Sequence, residues 1–223
     1  MKALIFDSGT LINLSMNGLL YLVEMLKKNF NGKFLITSDV KGEVIDRPKG
    51  IPRFELGALS IESLLNSRVI EMPEALGISS NDLEGKTKEL LGKANHFIKV
   101  DGEWISLVSS AEMSCLALSL ELTEKSIENV ISIDERTTRV LCEDPRQLER
   151  MMSEKLHKKV NIEGDIKPFL NFRFIRSSEV VFVAFKEGFV NIKGNKVLEA
   201  LLYATKYKGC AISFEEIEEL KRL

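Results

Sequence analysis

Apolar positions along the chain follow two rhythms, short continuous runs and longer stretches at helical spacing, and the two alternate. Residues 3–6 read as a buried strand that stops at Asp7, passes Ser8 and Gly9, and enters a helical pattern. Leu11, Ile12, Leu14, Leu19, Leu20, Leu22, Val23 and Leu26 carry that pattern to Lys27 and Lys28, where cations suit a helix end, and Asn17-Gly18 marks a break within it. Residues 34–37 are a second strand. Ser38 and Asp39 then cap a short helix with Val40 and Val44 on one face and Glu43 about a turn in. Pro48 and Pro52 end it, because proline cannot continue a helix. A helix over 54–65 and a third strand over 67–72 follow.

Residues 80–97 place Leu83, Leu90, Leu91, Ala94 and Phe97 on one helical face. Ser109 and Ser110 cap a helix reaching Leu122, with Glu112 in its first turn. Residues 129–133 form a fourth strand ending at Asp134, and helices over 135–141 and 145–156 come next, Pro145 fitting a first helical position. Residues 161–168 read as a connection and 172–175 as a fifth strand. Helices follow over 180–186, with Gly188 as its C-terminal cap, over 197–207, and over 214–223, where Ser213 and Glu216 have capping-box spacing. Strands alternating with helices predict an α/β fold, a three-layer α/β/α sandwich around a mainly parallel sheet of four or five strands. The expected division is a core domain over 1–160 and a mostly helical C-terminal segment over 161–223.

Composition narrows the class. At 223 residues, 44% hydrophobic and 29% charged, the chain suits an ordinary soluble protein. A net charge of −2 gives no global positive field to attract nucleic acid, although basic residues can still cluster. Three widely spaced cysteines, Cys115, Cys142 and Cys210, form no C-x-x-C pair and argue against a zinc site. His96 and His157 share no motif. The apolar start is too short for a signal peptide, and no apolar run nears the roughly 20 residues of a membrane span. The expected location is the cytoplasm.

The acidic residues add chemistry. Asp7 follows the first strand, Glu43 lies in the helix after the second, Glu112 opens the helix before the fourth, and Asp134 follows the fourth. In a parallel sheet, ligands bind outside the carboxyl ends of the strands. Glu112 reaches that edge because a whole extra helix separates it from the third strand. Asp7 alone reads equally well as a helix cap. Four carboxylates in one cleft, however, repel strongly without a cation, and such oxygen-rich sites suit Mg²⁺ or Mn²⁺.

This set resembles the PIN-domain family, a metal-dependent ribonuclease fold that includes toxins of toxin–antitoxin pairs. Residues 5–12, Ile-Phe-Asp-Ser-Gly-Thr-Leu-Ile, look like its first motif. Glu43 within 37–44, Glu112 within 110–118 and Asp134 within 131–136 match the remaining acidic positions, in order, across about the first 145 residues. Residues 178–189, 196–207 and 212–220 are similar to the C-terminal region of larger prokaryotic members. Glu112 departs from the aspartate many members carry. Residues 47–102 match nothing in the family.

The resemblance implies a metal-dependent endoribonuclease acting on single-stranded or flexible RNA and leaving a 5′-phosphate and a 3′-hydroxyl. Asp7, Glu43, Glu112 and Asp134 then serve as catalytic and metal-holding residues for Mg²⁺ or Mn²⁺. Ser8 either supports a carboxylate or phosphate or caps the helix. Arg136, next to a metal-holding position, is the leading RNA contact, with Lys41, Arg47, Lys49, Arg53 and Arg139 near the same rim. A homodimer and an antitoxin-like protein partner belong to the same expectation, and a membrane partner does not. Two alternatives stand beside it, a PIN-like RNA-binding or scaffold protein without catalysis and another metal-dependent phosphoesterase. Residues 6–11 also evoke the opening of haloacid-dehalogenase-type phosphatases, but that alignment puts Phe6 at the nucleophile, and a phenyl ring cannot attack a phosphoester.

Overall fold

The computed structural model describes all 223 residues. The chain opens with β1 (Lys2–Phe6), α1 (Ser8–Met16), α2 (Tyr21–Asn29), β2 (Gly32–Leu35) and α3 (Ser38–Lys41). A π-helical turn, Gly42–Asp46, and a 3₁₀ turn, Pro48–Gly50, lead into α4 (Pro52–Asn66). Next come α5 (Ser80–Asn95), β3 (Ile98–Val100), β4 (Glu103–Trp104), α6 (Ser110–Glu124) and β5 (Glu128–Ser132). The remainder is α7 (Arg136–Glu143), α8 (Pro145–Leu156), β6 (Val160–Ile162), β7 (Phe174–Ile175), α9 (Ser177–Lys186), α10 (Val197–Tyr207) and α11 (Phe214–Arg222).

The main sheet has the order β2-β1-β5-β7 with every pair parallel. Its register sets Leu4 beside Phe34 and Val130, so these side chains share one face, where they line a pocket together with Leu26 of α2 and Val180 and Val183 of α9. Ala3, Ile5 and Asn129 turn to the other face, where the Ser119 hydroxyl of α6 donates to Asn129 at 2.6 Å. Helices therefore cover both faces. Two glycines are required by this path. At Gly32, opposite Lys2, a Cβ would sit 2.3 Å from the Lys2 carbonyl oxygen, so the close approach of β1 and β2 excludes any side chain. Gly18 takes φ +67° and ends α1 at the break expected from Asn17-Gly18.

Three local expectations need correction. Residues 67–72 do not form a strand: Leu35 and Glu71 make a single parallel bridge, because Arg68 before it has a positive φ and Pro73 after it offers no N–H. Residues 161–168 are not merely a connection, since β6 pairs antiparallel with β3, and β3 with β4, to make a second small sheet. Finally, Thr37 caps α3, its hydroxyl accepting from the Val40 amide at 3.3 Å, where Ser38 and Asp39 were expected to do so.

A single cluster of 47 buried apolar residues runs from Ala3 to Leu201 and includes Phe169, Val180, Val181 and Ala184, so the C-terminal segment packs on the same core as the first 160 residues. Beyond it, Leu202, Cys210, Ile212 and Ile217 form a small satellite that closes α10 onto α11. Arg176 ties the two together. Its guanidinium is mostly buried and donates to Glu179, to Glu216 at 2.8 Å and to the Ala211 carbonyl at 3.1 Å. Burial alone would lower its pKa, but the two glutamates hold it above the ordinary arginine value. Replacing Arg176 with alanine strands these acceptors and is expected to cost about 2–3 kcal/mol, measurable as a lower urea midpoint at unchanged slope.

Candidate active site

Asp7 and Asp134 lie at the carboxyl edge of the parallel sheet, just after the adjacent strands β1 and β5. β1 ends at Phe6, and Asp7 follows as the N-cap of α1. Its Oδ2 accepts from the Gly9 amide at 3.1 Å, while Oδ1 is fully buried with no hydrogen-bond partner. The helix-cap reading of Asp7 thus accounts for Oδ2 and leaves Oδ1 without a partner. A Cβ built on Gly9 would lie 3.3 Å from Asp7 Oδ2 and 3.8 Å from Asp134 Cβ, which places Asp134 across the first turn of α1 from Asp7.

Asp134 follows β5, the strand beside β1, and is buried. Its Oδ1 accepts from the Ser177 amide at 2.7 Å and its Oδ2 from Asn13 Nδ2 at 3.0 Å. Glu112 sits in the first turn of α6 within a capping box, accepting from the Ser109 amide at 2.7 Å and from the Thr138 hydroxyl at 3.1 Å. Glu43 is carried by the π-helical turn, half-buried, with Arg47 Nη1 4.0 Å away. Such turns are often found at functional positions.

Three of the four carboxyls are raised above their ordinary pKa values. Burial, then the charge of Glu112, and further down that of Glu43, push the Asp7 carboxyl up to about 7 against the pull of the Gly9 and Ser8 amides. Glu112 is raised by burial and by the charges of Glu135 and Glu43. Asp134 is raised by burial in spite of the bonds from Ser177 and Asn13. No group of three or more His, Cys, Asp or Glu side chains stands in position to hold a metal ion, and Asp134 is turned toward its two donors. The donor chemistry nevertheless suits a hard divalent cation: Asp7 keeps a buried carboxylate oxygen with no partner, and the charges of Glu112 and Glu43 add to the raising of its pKa.

The supporting candidates separate. Ser8 is buried as the first residue of α1, and the cap it was offered for is supplied by Asp7. Arg136 is exposed at the start of α7, while Glu135 caps that helix by accepting from the Thr138 amide at 2.7 Å. Lys41 and Lys49 are held by Asp46 and Glu62 at 2.7 and 2.5 Å, whereas Arg47 is largely free. Three residues not singled out from the sequence belong to the site: Asn13, which orients Asp134, Thr138, which holds Glu112, and Ser177, whose buried hydroxyl has no partner. Asn13, flanked by Ile12 and Leu14, is fully buried, and its role depends on a partner 121 residues away.

Comparison of the chain with known protein families, with characterised proteins and with solved structures finds no match in any of the three.

The charge at Asp7 has a pH signature. Between about pH 4 and 7 the folded state keeps a proton that the unfolded chain has released, so stability falls as pH rises through this window. A rise from 3.8 to about 7 corresponds to roughly 4 kcal/mol against the charged form. In EDTA, Asp7→Asn is therefore expected to stabilise the protein by a few kcal/mol at pH 8, the gain shrinking steadily toward pH 4. Urea unfolding across that range checks the slope, and a gain independent of pH would assign it to packing.

Proposed function

We propose that this chain is a metal-dependent endoribonuclease of PIN-like architecture, cutting phosphodiester bonds in single-stranded or flexible RNA. The observation that carries the reading is the buried, unpartnered Asp7 Oδ1 at the carboxyl edge of a parallel sheet. The ordered match of Asp7, Glu43, Glu112 and Asp134 to the family's acidic positions supports it.

In this reading Asp7, Glu43, Glu112 and Asp134 hold Mg²⁺ or Mn²⁺, which when bound supplies charge neutralisation and an acidified water. The chain's own residues set the stage. Asn13 and the Ser177 amide fix the Asp134 carboxylate, and the Ser109 amide and Thr138 hydroxyl fix Glu112. Exposed Arg136 and Arg47 lie beside Asp134 and Glu43, where cations draw in and position a phosphate backbone. The expected products carry a 5′-phosphate and a 3′-hydroxyl.

A second reading, RNA binding without cleavage, draws on the engagement of both Asp134 oxygens by protein donors. One assay separates the two. End-labelled single-stranded RNA with Mn²⁺ is expected to be cut by the native protein and spared by the Asp7→Asn, Asp134→Asn double variant and by EDTA. Binding without mutant-sensitive cutting favours the second reading. Mn²⁺ is also expected to raise the melting temperature of the native protein at pH 8 and to leave that of the double variant nearly unchanged.

A further inference from the structure

The helices on one face of the main sheet, α2 and α9, leave a pocket between them. Its volume is about 480 Å³, and ten of its fifteen lining residues are apolar. Leu4 of β1 and Val130 of β5 form its floor, Leu26 of α2 one wall, and Val180 and Val183 of α9 the other. β1 and β5 are the two inner strands, and a parallel sheet is ordinarily buried on both faces. Leu4 and Val130 are nevertheless only half-buried, whereas Ile5 and Ile131, the next residues along each strand, turn to the opposite face and are fully buried. Glu179, Val183 and Glu187 recur every fourth residue, so one stripe of α9 runs along the pocket.

The charges around the pocket are already matched. Glu179 accepts from Arg176, and Glu128 accepts from Arg173 at 3.2 Å with Lys2 4.0 Å away. Glu187 forms no ion pair but is exposed, so water solvates it at the outer end. Lys27, Lys28 and Lys186 are close in sequence yet do not line the pocket; Lys27 donates to the Gly32 carbonyl, and Lys186 lies over the Phe182 ring. A charged head group would therefore lose its hydration here without a free counter-charge. A protein partner fits no better. Val183, 47% exposed, is the most exposed of the apolar lining residues, and one such side chain does not approach the roughly 800 Å² that each side of a stable protein interface buries. The volume does fall within the range of small-molecule pockets, about 300–1,000 Å³.

We infer that the pocket between α2 and α9 binds an uncharged, mainly apolar small molecule, seated on Leu4 and Val130 between Leu26 and Val183. Release of water from these apolar walls supplies the driving force. The inference is independent of the ribonuclease reading. Lys2 and Glu128, which line the pocket, begin β1 and β5, whereas Asp7 and Asp134 follow the opposite ends of the same strands.

The test follows the leucine and valine methyl resonances of the full, native chain during titration with three matched probes: 2-naphthaleneethanol, the 2-naphthylacetate anion and the 2-naphthylethylammonium cation. The alcohol is expected to give saturable shifts centred on Leu4, Leu26, Val130, Val180 and Val183, and to bind about tenfold more tightly than either ion. Val183→Arg, a change at an exposed position, lays a long side chain across the pocket and is expected to abolish those shifts. Unmoved methyls of Leu116 and Leu122, on α6 across the sheet, report that the variant keeps its fold. Saturable shifts confined to other methyls, or none with any probe, overturn the site. Binding of either ion as tight as that of the alcohol overturns the uncharged class. Shifts of the pocket methyls that follow protein concentration alone, and vanish in Val183→Arg, overturn the inference in favour of a second copy of this chain.

Discussion

The bonding of Asp134 holds this molecule together at its carboxyl edge. A buried carboxylate is costly unless donors surround it, and Asp134 draws its donors from remote parts of the chain. Asn13 comes from α1 and the Ser177 amide from the first residue of α9. The Ser177 contact is doubly favourable, because the carboxylate also meets the positive end of the α9 dipole. The Asp134 carbonyl then receives the Ala211 amide, and Arg176 reaches the Ala211 carbonyl. One residue after β5 thereby fixes α1, α9 and the turn between α10 and α11.

Asp7, after the neighbouring strand, meets the opposite condition. Its donors are amides of its own helix turn, Gly9 and Ser8, set against the negative charges of Glu112 and Glu43. Burial raises the pKa of both aspartates, and those charges help push Asp7 up to about 7. The fold leaves Asp7 with no donor from a remote part of the chain, unlike Asp134. Local costs of this kind persist in proteins mainly where the position serves something other than stability.

What was legible in the sequence follows from the range over which each interaction acts. The helices were readable because their caps and apolar faces are local: Ser109 with Glu112 and Ser213 with Glu216 form the boxes their spacing announces. The parallel sheet was readable because β1 carries a continuous apolar run over Ala3–Phe6 and β5 carries Val130 and Ile131. The small sheet was not, since strands of two or three residues show no alternation. Its one signal was Asp101-Gly102, a pair suited to a tight hairpin and found here with φ of +52° and +87°. The roles of Asn13 and Thr138 were beyond a local reading, because their partners lie 121 and 26 residues away.

The same logic bears on the boundary placed at residue 160. The texture of the sequence does change there, yet the segment beyond it supplies β7 to the main sheet, β6 having already joined the small one. It also supplies the Ser177 amide, without which Asp134 Oδ1 would be buried with one donor fewer. An appendage could be removed with its own contacts; this segment takes with it a donor to a carboxylate of the candidate site. One of the two donors to the Asp134 carboxylate comes from α1 and the other from beyond residue 160, so the C-terminal segment is part of the candidate site's construction.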